Sequence, residues 1–565
     1  MTSSDKKNRI FGIDLGTTYS CIAYVNDAGK TEVVPNTDGD LTTPSVVYFE
    51  DSRNVVVGKT AKEELKTSPE RVISLVKRSM GEKDVRFSGV ADTPLTPQEV
   101  SAHILRKLVQ DGQDYTRQEE PIKDVVITCP AYFGFSQKEA TRQAGELAGL
   151  NVRYVIPEPT AAAIFYGMTE DTSGKQTVLV YDLGGGTFDV TVIEVDAGNI
   201  EVVCVDGDHN LGGANWDEDV ATWFAERFCE EHGTKTSELM DSDETWQELL
   251  DLAETAKRSL TSKTKHSTRV THGTNRSRIE MTRDEFDAIT NGRLENTVML
   301  TRSVLEKAKA KGRHDIDKIL LVGGSTYMPQ VQGRLKKEFP SIGDIGLLDP
   351  NQAVAKGAAV FGYKCYLDDE IMKRVGEQTG NDVSGVAVEA LPEALRERAE
   401  ASVALDQGLQ LVQIRSLTRK TVQNVTSKSF GTVAVDAVSG KSHVVNLILV
   451  DEQVPVDVTK EFRTVAEGQT TVLVRCMENT VREKGDVDLE GCTEIGNAEL
   501  RFARPLPSGS PVELRFFLSA DGLLTVHATD LTTGGKVDIS IATTAILTPE
   551  EVEQRKAQNM AITVS

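Results

Sequence analysis

Hydrophobic residues follow two different patterns along the 565 residues of the chain. Towards the N-terminus, short continuous apolar runs such as 125–127 and 178–181 predict strands that are buried on both faces. Longer stretches between them, for example 243–263, predict helices. From Ser429 onwards, apolar and polar residues alternate in several short runs that turn residues separate. The sequence therefore predicts an α/β part followed by an antiparallel β-sandwich.

A glycine turn follows the apolar run 178–181, in the sequence Asp-Leu-Gly-Gly-Gly-Thr-Phe-Asp of residues 182–189. Its three glycines lack a Cβ, so the backbone can adopt positive φ and approach a ligand, and successive amides can form a nest for an anion. The two aspartates would repel a polyphosphate unless a cation lay between them. Considered alone, the turn is explained equally well as a structural hairpin.

Related turns occur elsewhere in the chain. An Asp-Leu-Gly-Thr-Thr turn follows the apolar residues 11–13, and a Gly-Gly-Ser-Thr turn follows the apolar run 319–322. The loop 207–216 contains the adjacent glycines 212 and 213 before a predicted helix and could present their amides to phosphate. Two Asp-Leu-Gly hairpins far apart predict a duplicated unit that holds one phosphate chain from both sides.

Together, these turns resemble those of the actin, sugar-kinase and heat-shock-70 superfamily. The segment Pro-Glu-Pro-Thr-Ala-Ala-Ala at 157–163, combined with the glycine turn at 182–189, resembles the 70-kDa heat-shock (DnaK-type) chaperones in particular. The resemblance implies a two-lobed actin-like α/β ATPase domain and a β-sandwich domain that binds peptides. We expect an ATPase domain at 8–367, a divergent linker or insertion at 368–427, a sandwich at 428–545 and a truncated helical tail at 546–565.

The resemblance also implies the residues of the ATPase site. It assigns catalysis to Asp14, Lys77, Glu158, Asp182, Thr187 and Asp189. It assigns Mg²⁺, with K⁺ as a further candidate, to Asp14 and Asp182 through water. The residues implied for ATP or ADP binding are Gly16, Thr17, Thr18, Tyr19, Gly184, Gly185, Gly186, Gly212, Gly213, Glu254, Lys257, Arg258, Thr261, Gly323, Gly324, Ser325 and Tyr327.

Simpler interpretations compete for several of these residues. Lys77 lies near the end of a predicted helix at 59–80, where a basic residue commonly does no more than complement the helix C-terminus. Glu158 is also explained as a solvated turn residue, and the face formed by Glu254, Lys257, Arg258 and Thr261 as a salt-bridged surface. Tyr327 stands where the family has an arginine that stacks on adenine, and a tyrosine stacks without the cation.

Two further groups of residues follow from the resemblance. Ala434, Val435, Phe462, Val465, Val472 and Val474 are expected near the apolar peptide pocket, although ordinary sandwich core explains each of them equally well. Pro130 and Lys138 are expected to relay nucleotide state between domains; Lys138 lies in a predicted helix at 136–148 that Ser136 would cap.

A closing helix is predicted at 352–367. In the linker that follows, only Val422 and Val425 are apolar, which predicts that the linker docks weakly on the ATPase domain.

Composition excludes several classes of function. The net charge is −23, which argues against general nucleic-acid binding. The seven cysteines are scattered without a Cys-x-x-Cys pair, which indicates a reducing compartment and no zinc site. No apolar signal region precedes the first strand and no segment is long enough to span a membrane, so we expect the cytoplasm and no membrane partner.

The leading hypothesis is an ATP-dependent chaperone that hydrolyses ATP to ADP and phosphate and binds exposed apolar segments of unfolded polypeptides. A J-domain co-chaperone and a nucleotide exchange factor are candidate partners by resemblance. The alternative is a nucleotide-gated scaffold for one dedicated partner. The changed linker, the missing lid, and Tyr154 and Pro157 at positions that usually face a J-protein favour this alternative. A small-molecule kinase would leave the β-domain unexplained.

Overall fold

The computed structural model describes residues 9–91, 93–169, 174–380, 383, 386–436, 438–539 and 546–565. Its elements form two α/β lobes, a pair of helices, a linker strand, a β-sandwich and a tail. The predicted fold class is confirmed. Among the described helices, none combines the length and the hydrophobicity that a membrane crossing requires.

The first lobe is built on a sheet of strand order β3-β2-β1-β8-β9. A smaller sheet, formed by β6, β5 and β7, lies in the same lobe. The strands are β1 Phe11–Asp14, β2 Tyr19–Val25, β3 Thr31–Val33, β4 Thr43–Pro44, β5 Val47–Phe49, β6 Asn54–Val57, β7 Val72–Ile73, β8 Asp124–Cys129 and β9 Asn151–Pro157. The helices are α1 Lys59–Glu63, α2 Pro97–Thr116, α3 Phe135–Leu147 and α4 Glu158–Thr169.

The second lobe is built on a sheet of strand order β16-β15-β10-β11-β12, with β13 and β14 as a separate hairpin. Its strands are β10 Gln176–Leu183, β11 Phe188–Val195, β12 Asn199–Asp208, β13 Lys265–His272, β14 Asn275–Thr282, β15 Lys318–Val322 and β16 Asp344–Leu347. Its helices are α5 Gly213–His232, α6 Thr236–Met240, α7 Asp243–Leu260, α8 Arg283–Ala310 and α9 Pro329–Glu338. Helix α10, Ala353–Thr379, then packs on α4, β1 and β2 of the first lobe, and α4 contacts β10, β11 and β12 of the second lobe.

Three predicted helices differ from the structure. The predicted helix 59–80 is broken: α1 ends at Glu63, and short 3₁₀ turns and strand β7 follow because the chain must form the edge of the small sheet. Helix α3 begins one residue early, with Gly134 rather than Ser136 at the N-cap. Helix α10 continues to Thr379 instead of ending at residue 367, because Leu367, Ile371 and Val375 keep an apolar face buried.

The segment after α10 is a packed helical hairpin. Helices α11, Glu393–Gln407, and α12, Leu411–Thr418, contribute Val403, Ile414 and Leu417 to the apolar core that α4 and α10 share. The two helices are joined by Glu400, whose fully buried carboxylate accepts hydrogen bonds from three arginines. These arginines are Arg396, Arg415 and Arg419, at 2.9–3.1 Å.

The linker is docked as strand β17, Thr421–Gln423, which pairs in parallel with β12 and extends the sheet of the second lobe. Val425 is buried, and Asn424 accepts a hydrogen bond from the Thr160 hydroxyl at 2.8 Å. The prediction of weak docking considered apolar area alone. Backbone pairing and the preceding hairpin supply the contacts that the short apolar segment lacks.

The sandwich consists of two antiparallel sheets, of strand orders β22-β19-β18-β21-β23 and β20-β24-β25-β26. Its strands are β18 Ser429–Val435, β19 Ser442–Ile448, β20 Val456–Arg463, β21 Gln469–Asn479, β22 Asp486–Val487, β23 Thr493–Leu506, β24 Pro511–Leu518, β25 Leu524–Asp530 and β26 Lys536–Ile539. The tail consists of α13, Pro549–Met560, and β27, Thr563–Val564, and both lie on the first lobe.

We expect Glu400→Gln to open the helical hairpin. Burial acts to raise the pKa of Glu400, but hydrogen bonds from Arg419 and Arg415 outweigh it and lower this pKa. The substitution leaves three buried or half-buried guanidinium groups without their common anion, which costs about 3 kcal/mol or more. Native-state hydrogen exchange of α11 and α12 measures the loss. Glu397→Gln is the control: Glu397 is exposed and pairs with Arg415 alone, so the cost should stay below about 1 kcal/mol. Equal protection in both variants would contradict this role.

Candidate active site between the lobes

A cleft of about 450 Å³ lies between the two lobes. Most residues that the sequence predicts for the nucleotide site line it, from both sides. The predicted residues in its wall are Asp14, Gly16, Thr17, Thr18, Tyr19, Lys77, Glu158, Asp182, Gly184, Gly185, Thr187, Glu254, Lys257, Arg258, Thr261, Gly323, Gly324, Ser325 and Tyr327. Four predicted residues lie just outside its wall: Gly186, Asp189, Gly212 and Gly213. Asp189 pairs with Asp182 in the sheet, the Gly213 amide donates to the Gly184 carbonyl, and Gly212 lies against Gly186.

The glycine hairpins meet one another at the floor of the cleft. A Cβ on Gly185 would overlap the Thr18 side chain of the opposite lobe, and a Cβ on Gly212 would lie 2.5 Å from the carbonyl carbon of Gly186. None of Gly184, Gly185 and Gly186 has a positive φ. The sequence therefore needs glycine here for close approach of backbones rather than for a left-handed conformation.

Lys77 reaches the centre of this floor although it follows a strand of the small sheet. Strand β7 ends at Ile73, and a left-handed Leu75 (φ 55°) turns the chain into the 3₁₀ segment 76–79. The Lys77 side chain is buried and its ammonium forms an ion pair with Glu158, at the start of α4. The competing interpretation of Lys77 as a simple helix C-terminal charge does not describe its environment.

Four carboxylates surround this one ammonium. Asp182 and Asp189 are directly opposite each other in the β10–β11 pair, and Asp189 accepts a hydrogen bond from the Ala131 amide at 2.8 Å. Asp14 ends β1 and accepts from the Thr128 hydroxyl at 3.2 Å. The site therefore holds more negative than positive side chains in a region that is shielded from water.

The pKa values of these side chains are shifted by the excess of negative charge. Burial, and then the charge of Glu158, raises the pKa of Asp14 to about 7 although Lys77 and Thr128 act to lower it. Burial and neighbouring carboxylates likewise raise the pKa values of Asp182 and Asp189 well above the usual range. Burial alone would lower the pKa of Lys77, but Glu158 and Asp14 raise it, so the lysine stays charged.

A hydrated divalent cation fits this arrangement. The described residues contain no group of three or more His, Cys, Asp or Glu side chains spaced to ligate a metal directly. Instead, the carboxylates of Asp14, Glu158 and Asp182 line the cleft, and next to Asp182 the Oδ2 atom of Asp189 is buried without a hydrogen-bonding partner among the described residues. A cation with its own water shell would satisfy such groups, since Mg²⁺ usually retains several waters.

The upper part of the cleft joins the lobes through a second charged group. The Glu254 carboxylate on α7 accepts from the Tyr19 hydroxyl at 2.9 Å and forms an ion pair with Lys62 of α1. Lys257, also on α7, binds Asp217 at 2.6 Å and the Gly213 carbonyl at 2.9 Å. Arg258 and Tyr327 are both exposed and line the same cleft.

Sequence reasoning missed part of this wall. Lys62, Lys66 and Asp251 line the cleft, and the Lys66–Asp251 pair, at 2.7 Å, bridges the two lobes. No local signal identifies these residues, because a lysine or an aspartate on an amphipathic helix is ordinarily solvated. Asp217, whose pKa burial raises to about 6, was missed for the same reason.

The six residues predicted for a peptide pocket fall into two groups. Val435 and Val465 are 42% and 50% exposed, whereas Val474 is buried between the sheets. Ala434, Phe462 and Val472 are half-buried, and the last two pack against the sandwich core. Because β18 and β21 run antiparallel, the end of β18 at Val435 lies near the start of β21, which the loop containing Val465 precedes.

The two residues predicted to relay nucleotide state lie between the active site and the sandwich. Pro130 precedes Ala131, whose amide holds Asp189. The Lys138 side chain lies against Gly522 in the β24–β25 turn of the sandwich. Neighbouring contacts are more specific: Arg142 forms an ion pair with Asp521 at 2.7 Å, and Glu478 accepts from the Phe135 amide at 3.0 Å.

Comparison with known proteins gives the family of the chain. The family model described as Hsp70 protein matches residues 10–367 and 421–564. The chain belongs to the Hsp70 family. Chaperone protein DnaK of Thermosipho africanus is 34% identical over 559 residues, which cover 98% of this chain and 83% of that protein. The DnaK of Thermotoga neapolitana is 35% identical over 561 residues with the same coverage, and that of Halobacterium salinarum is 34% identical over 553 residues, with 97% and 77% covered.

Membership in the Hsp70 family confirms the predicted class of function, an ATP-dependent chaperone with ATPase activity. Members of this family generally bind ATP or ADP with Mg²⁺ and act on unfolded polypeptides together with co-chaperones. The match also leaves a gap, because residues 368–420 are not covered by the family model. This gap contains the end of α10 and the hairpin α11–α12.

We expect binding of MgADP to release protons near neutral pH. The pKa of Asp14 is raised to about 7, so its carboxyl exchanges its proton near neutral pH. A cation requires the ionised carboxylate, so affinity for MgADP should rise with pH, by at most about tenfold per pH unit for each proton released. Titration calorimetry in two buffers of different ionisation enthalpy counts the protons. ADP with a chelator is the control; proton release that is equal with and without Mg²⁺ would contradict the prediction.

Proposed function

We propose that this Hsp70-family chain hydrolyses MgATP with Lys77 and Glu158 as the central catalytic pair. The observation that carries the proposal is the buried Lys77 ammonium, surrounded by four carboxylates at the point where glycine hairpins of two lobes meet. A buried ammonium among carboxylates costs desolvation free energy that a structural role does not require. Its accessibility from the cleft supports a role on a phosphate ligand.

The chain's own groups have separate tasks in this proposal. Amides of the hairpins and the hydroxyls of Thr17, Thr18 and Thr187 bind phosphate oxygens. Lys77 neutralises charge that develops on the terminal phosphate and, with Glu158, orients the attacking water. Asp14 and Asp182 would hold Mg²⁺ through its waters, and the ion would supply further neutralisation of the phosphates. K⁺ is a second candidate ion for the same oxygens.

We assign the upper cleft to the nucleoside. Arg258 and Tyr327 are exposed in its walls, and a base could stack between a guanidinium and a phenol. Glu254, Lys257 and Thr261 provide polar groups around it. The Lys62–Glu254 and Lys66–Asp251 pairs bridge the lobes, so nucleotide exchange would require these pairs to open.

We assign binding of extended apolar peptide to the end of the sandwich that carries Val435 and Val465. Exposed apolar side chains at the end of β18 and in the loop after β20 favour this site, since a side chain of the sandwich core would be buried. The docked linker β17 and the Arg142–Asp521 pair support communication between this domain and the ATPase site, with Pro130 and Lys138 between them.

A scaffold for one dedicated partner is the second candidate. The face that would receive a J-domain co-chaperone is altered: Tyr154 packs edge-on against Phe361 of α10, and Arg153 pairs with Asp369 at 2.7 Å. Asp369 lies in the segment that the family model does not match. A peptide array probed with ATP and with ADP separates the two: nucleotide-dependent binding to many apolar peptides supports the chaperone, and binding to none or to one supports the scaffold.

A reducing compartment such as the cytoplasm is the proposed location. All seven cysteines are free, and six of them are buried. A chain with this pattern needs no oxidising environment for its fold.

Lys77→Ala should retain MgATP and lose hydrolysis. Because the charge acts mainly in the transition state, single-turnover hydrolysis should fall by about a hundredfold or more while the dissociation constant changes little. Lys83→Ala is the matched control, since Lys83 is exposed in the same segment and outside the cleft. Unchanged turnover in a folded Lys77→Ala protein would remove Lys77 from the mechanism.

Val435→Asp combined with Val465→Asp should weaken peptide binding by about tenfold or more, because two apolar contacts become charged. Fluorescence anisotropy with a labelled extended apolar peptide measures the change. Phe517→Asp is the control: Phe517 is 36% exposed but lies on the strand that pairs with Asp457 and Thr525, near the opposite end of the sandwich. Equal loss in the control, or no loss in the double variant, would place the peptide elsewhere.

A further inference from the structure

The tail residues 546–565 complete the small sheet of the first lobe. Strand β27 pairs in parallel with β6, so that Thr563 lies opposite Asn54 and Val564 opposite Val55. The sheet order becomes β27-β6-β5-β7. Three backbone hydrogen bonds of 2.7–3.0 Å join the strands, from Thr563 to Arg53, from Ser565 to Val55 and from Val57 to Ser565. The edge of β6 that would otherwise be open is therefore occupied by a segment about 500 residues later in the chain.

The same tail is anchored by side chains at three further points. The Gln143 amide group on α3 makes two hydrogen bonds with the backbone of Leu547, at 2.7 and 2.9 Å. Arg106 on α2 donates to the carbonyls of Asn559 and Ile562 at the end of α13, at 2.6 and 2.8 Å. Arg555 pairs with Glu99 at 2.8 Å, and Glu99 also belongs to the capping box of α2.

The last strand of this sheet is followed in the chain by the segment that carries Lys77. Strand β7 pairs with β5, and the 3₁₀ segment that carries Lys77 follows β7 after two residues. Val564, Leu547 and Val552 of the tail belong to the same apolar core as Val76 and Met80, which flank Lys77. Helix α2, on which α13 packs, contacts the Lys77 segment on its other side, where Ser101 approaches Met80. The tail thus supports both elements that hold the Lys77 segment.

We propose that residues 546–565 position Lys77 for ATP hydrolysis, so that the rate of the chemical step depends on the tail being seated on β6 and α2. The proposal rests on the catalytic role of Lys77 proposed above. The tail follows β26 of the sandwich in the chain and packs on the first lobe. The tail is then a connection from the sandwich to the active site that is separate from linker strand β17.

The test substitutes Val564 in the full chain. Val564→Asp puts a charge into the core of the first lobe and should unseat β27, whereas Thr563→Asp changes the neighbouring exposed side chain of the same strand. We expect Val564→Asp to lower the single-turnover rate with bound MgATP by about tenfold or more, with an unchanged dissociation constant, because small displacements of a catalytic group lower rates steeply. Thr563→Asp and the conservative Val564→Ile should keep the rate.

Hydrogen exchange of segments 54–57 and 72–80 gives a readout that is independent of activity. Faster exchange in both segments together with the rate loss supports the proposal. An unseated tail, detected by faster exchange at 549–564, with an unchanged rate overturns it. If Val564→Asp does not yield folded protein, Arg106→Gln, which removes the contacts to the end of α13, is measured in the same way. Lys77→Ala in parallel separates the two proposals: if it keeps full turnover the catalytic role fails, and if it alone loses turnover only the role of the tail fails.

Discussion

The constraint on which the structure depends is the grouping of four buried or half-buried carboxylates around one buried ammonium. Asp14, Asp182, Asp189 and Glu158 come from four different strands or helices, and the strands that carry them form the centres of both lobes. Such a group is unfavourable in a closed core, because each carboxylate must be removed from water. It is tolerable beside an open cleft, where a cation, its waters and a polyphosphate can be exchanged. The fold therefore leaves a cleft above this point, although the glycine hairpins of the two lobes meet at its floor.

The joints between the lobes differ in chemistry. Below the site, helix α4 of the first lobe contacts β10, β11 and β12 of the second lobe, and these elements share one core of small and apolar residues with α10. Above it, Lys62–Glu254 and Lys66–Asp251 are ion pairs at a partly exposed surface. Exposed pairs contribute about 1 kcal/mol or less each, while a packed apolar interface is far stronger. This difference makes the upper rim the part of the cleft that can open.

The sequence was sufficient to predict the residues at the floor of the cleft but not those around its rim. Glycines next to aspartates are informative, because few other functions need that combination, and they led to Asp14, Asp182 and Gly185. Lys77 could be assigned only through family resemblance, since its local pattern is that of a helix end. Lys62 carries no local signal at all, because its role arises from Glu254, which lies 192 residues later. The predicted peptide residues include Val474, which alternation places in the core, and position in a strand alone cannot separate it from a pocket residue.

The segments that departed most from expectation are those whose stability comes from distant partners. A two-residue strand such as β27 has no hydrophobic period to detect, and its partner β6 is near the opposite end of the chain. The same holds for the linker: Val422 and Val425 suggest little docking, yet the strand has a ladder on β12, and the Glu400 cluster fixes the residues just before it. Both ends of the sandwich are consequently tied to the ATPase lobes, the first through β17 to the second lobe and the last through the tail to the first lobe. The sandwich also contacts the first lobe directly, through Arg142–Asp521 and Glu478–Phe135, while β17 attaches it to the second lobe. Opening of the cleft changes the distance between the lobes and therefore acts on both attachments, even where the linker is short of apolar residues.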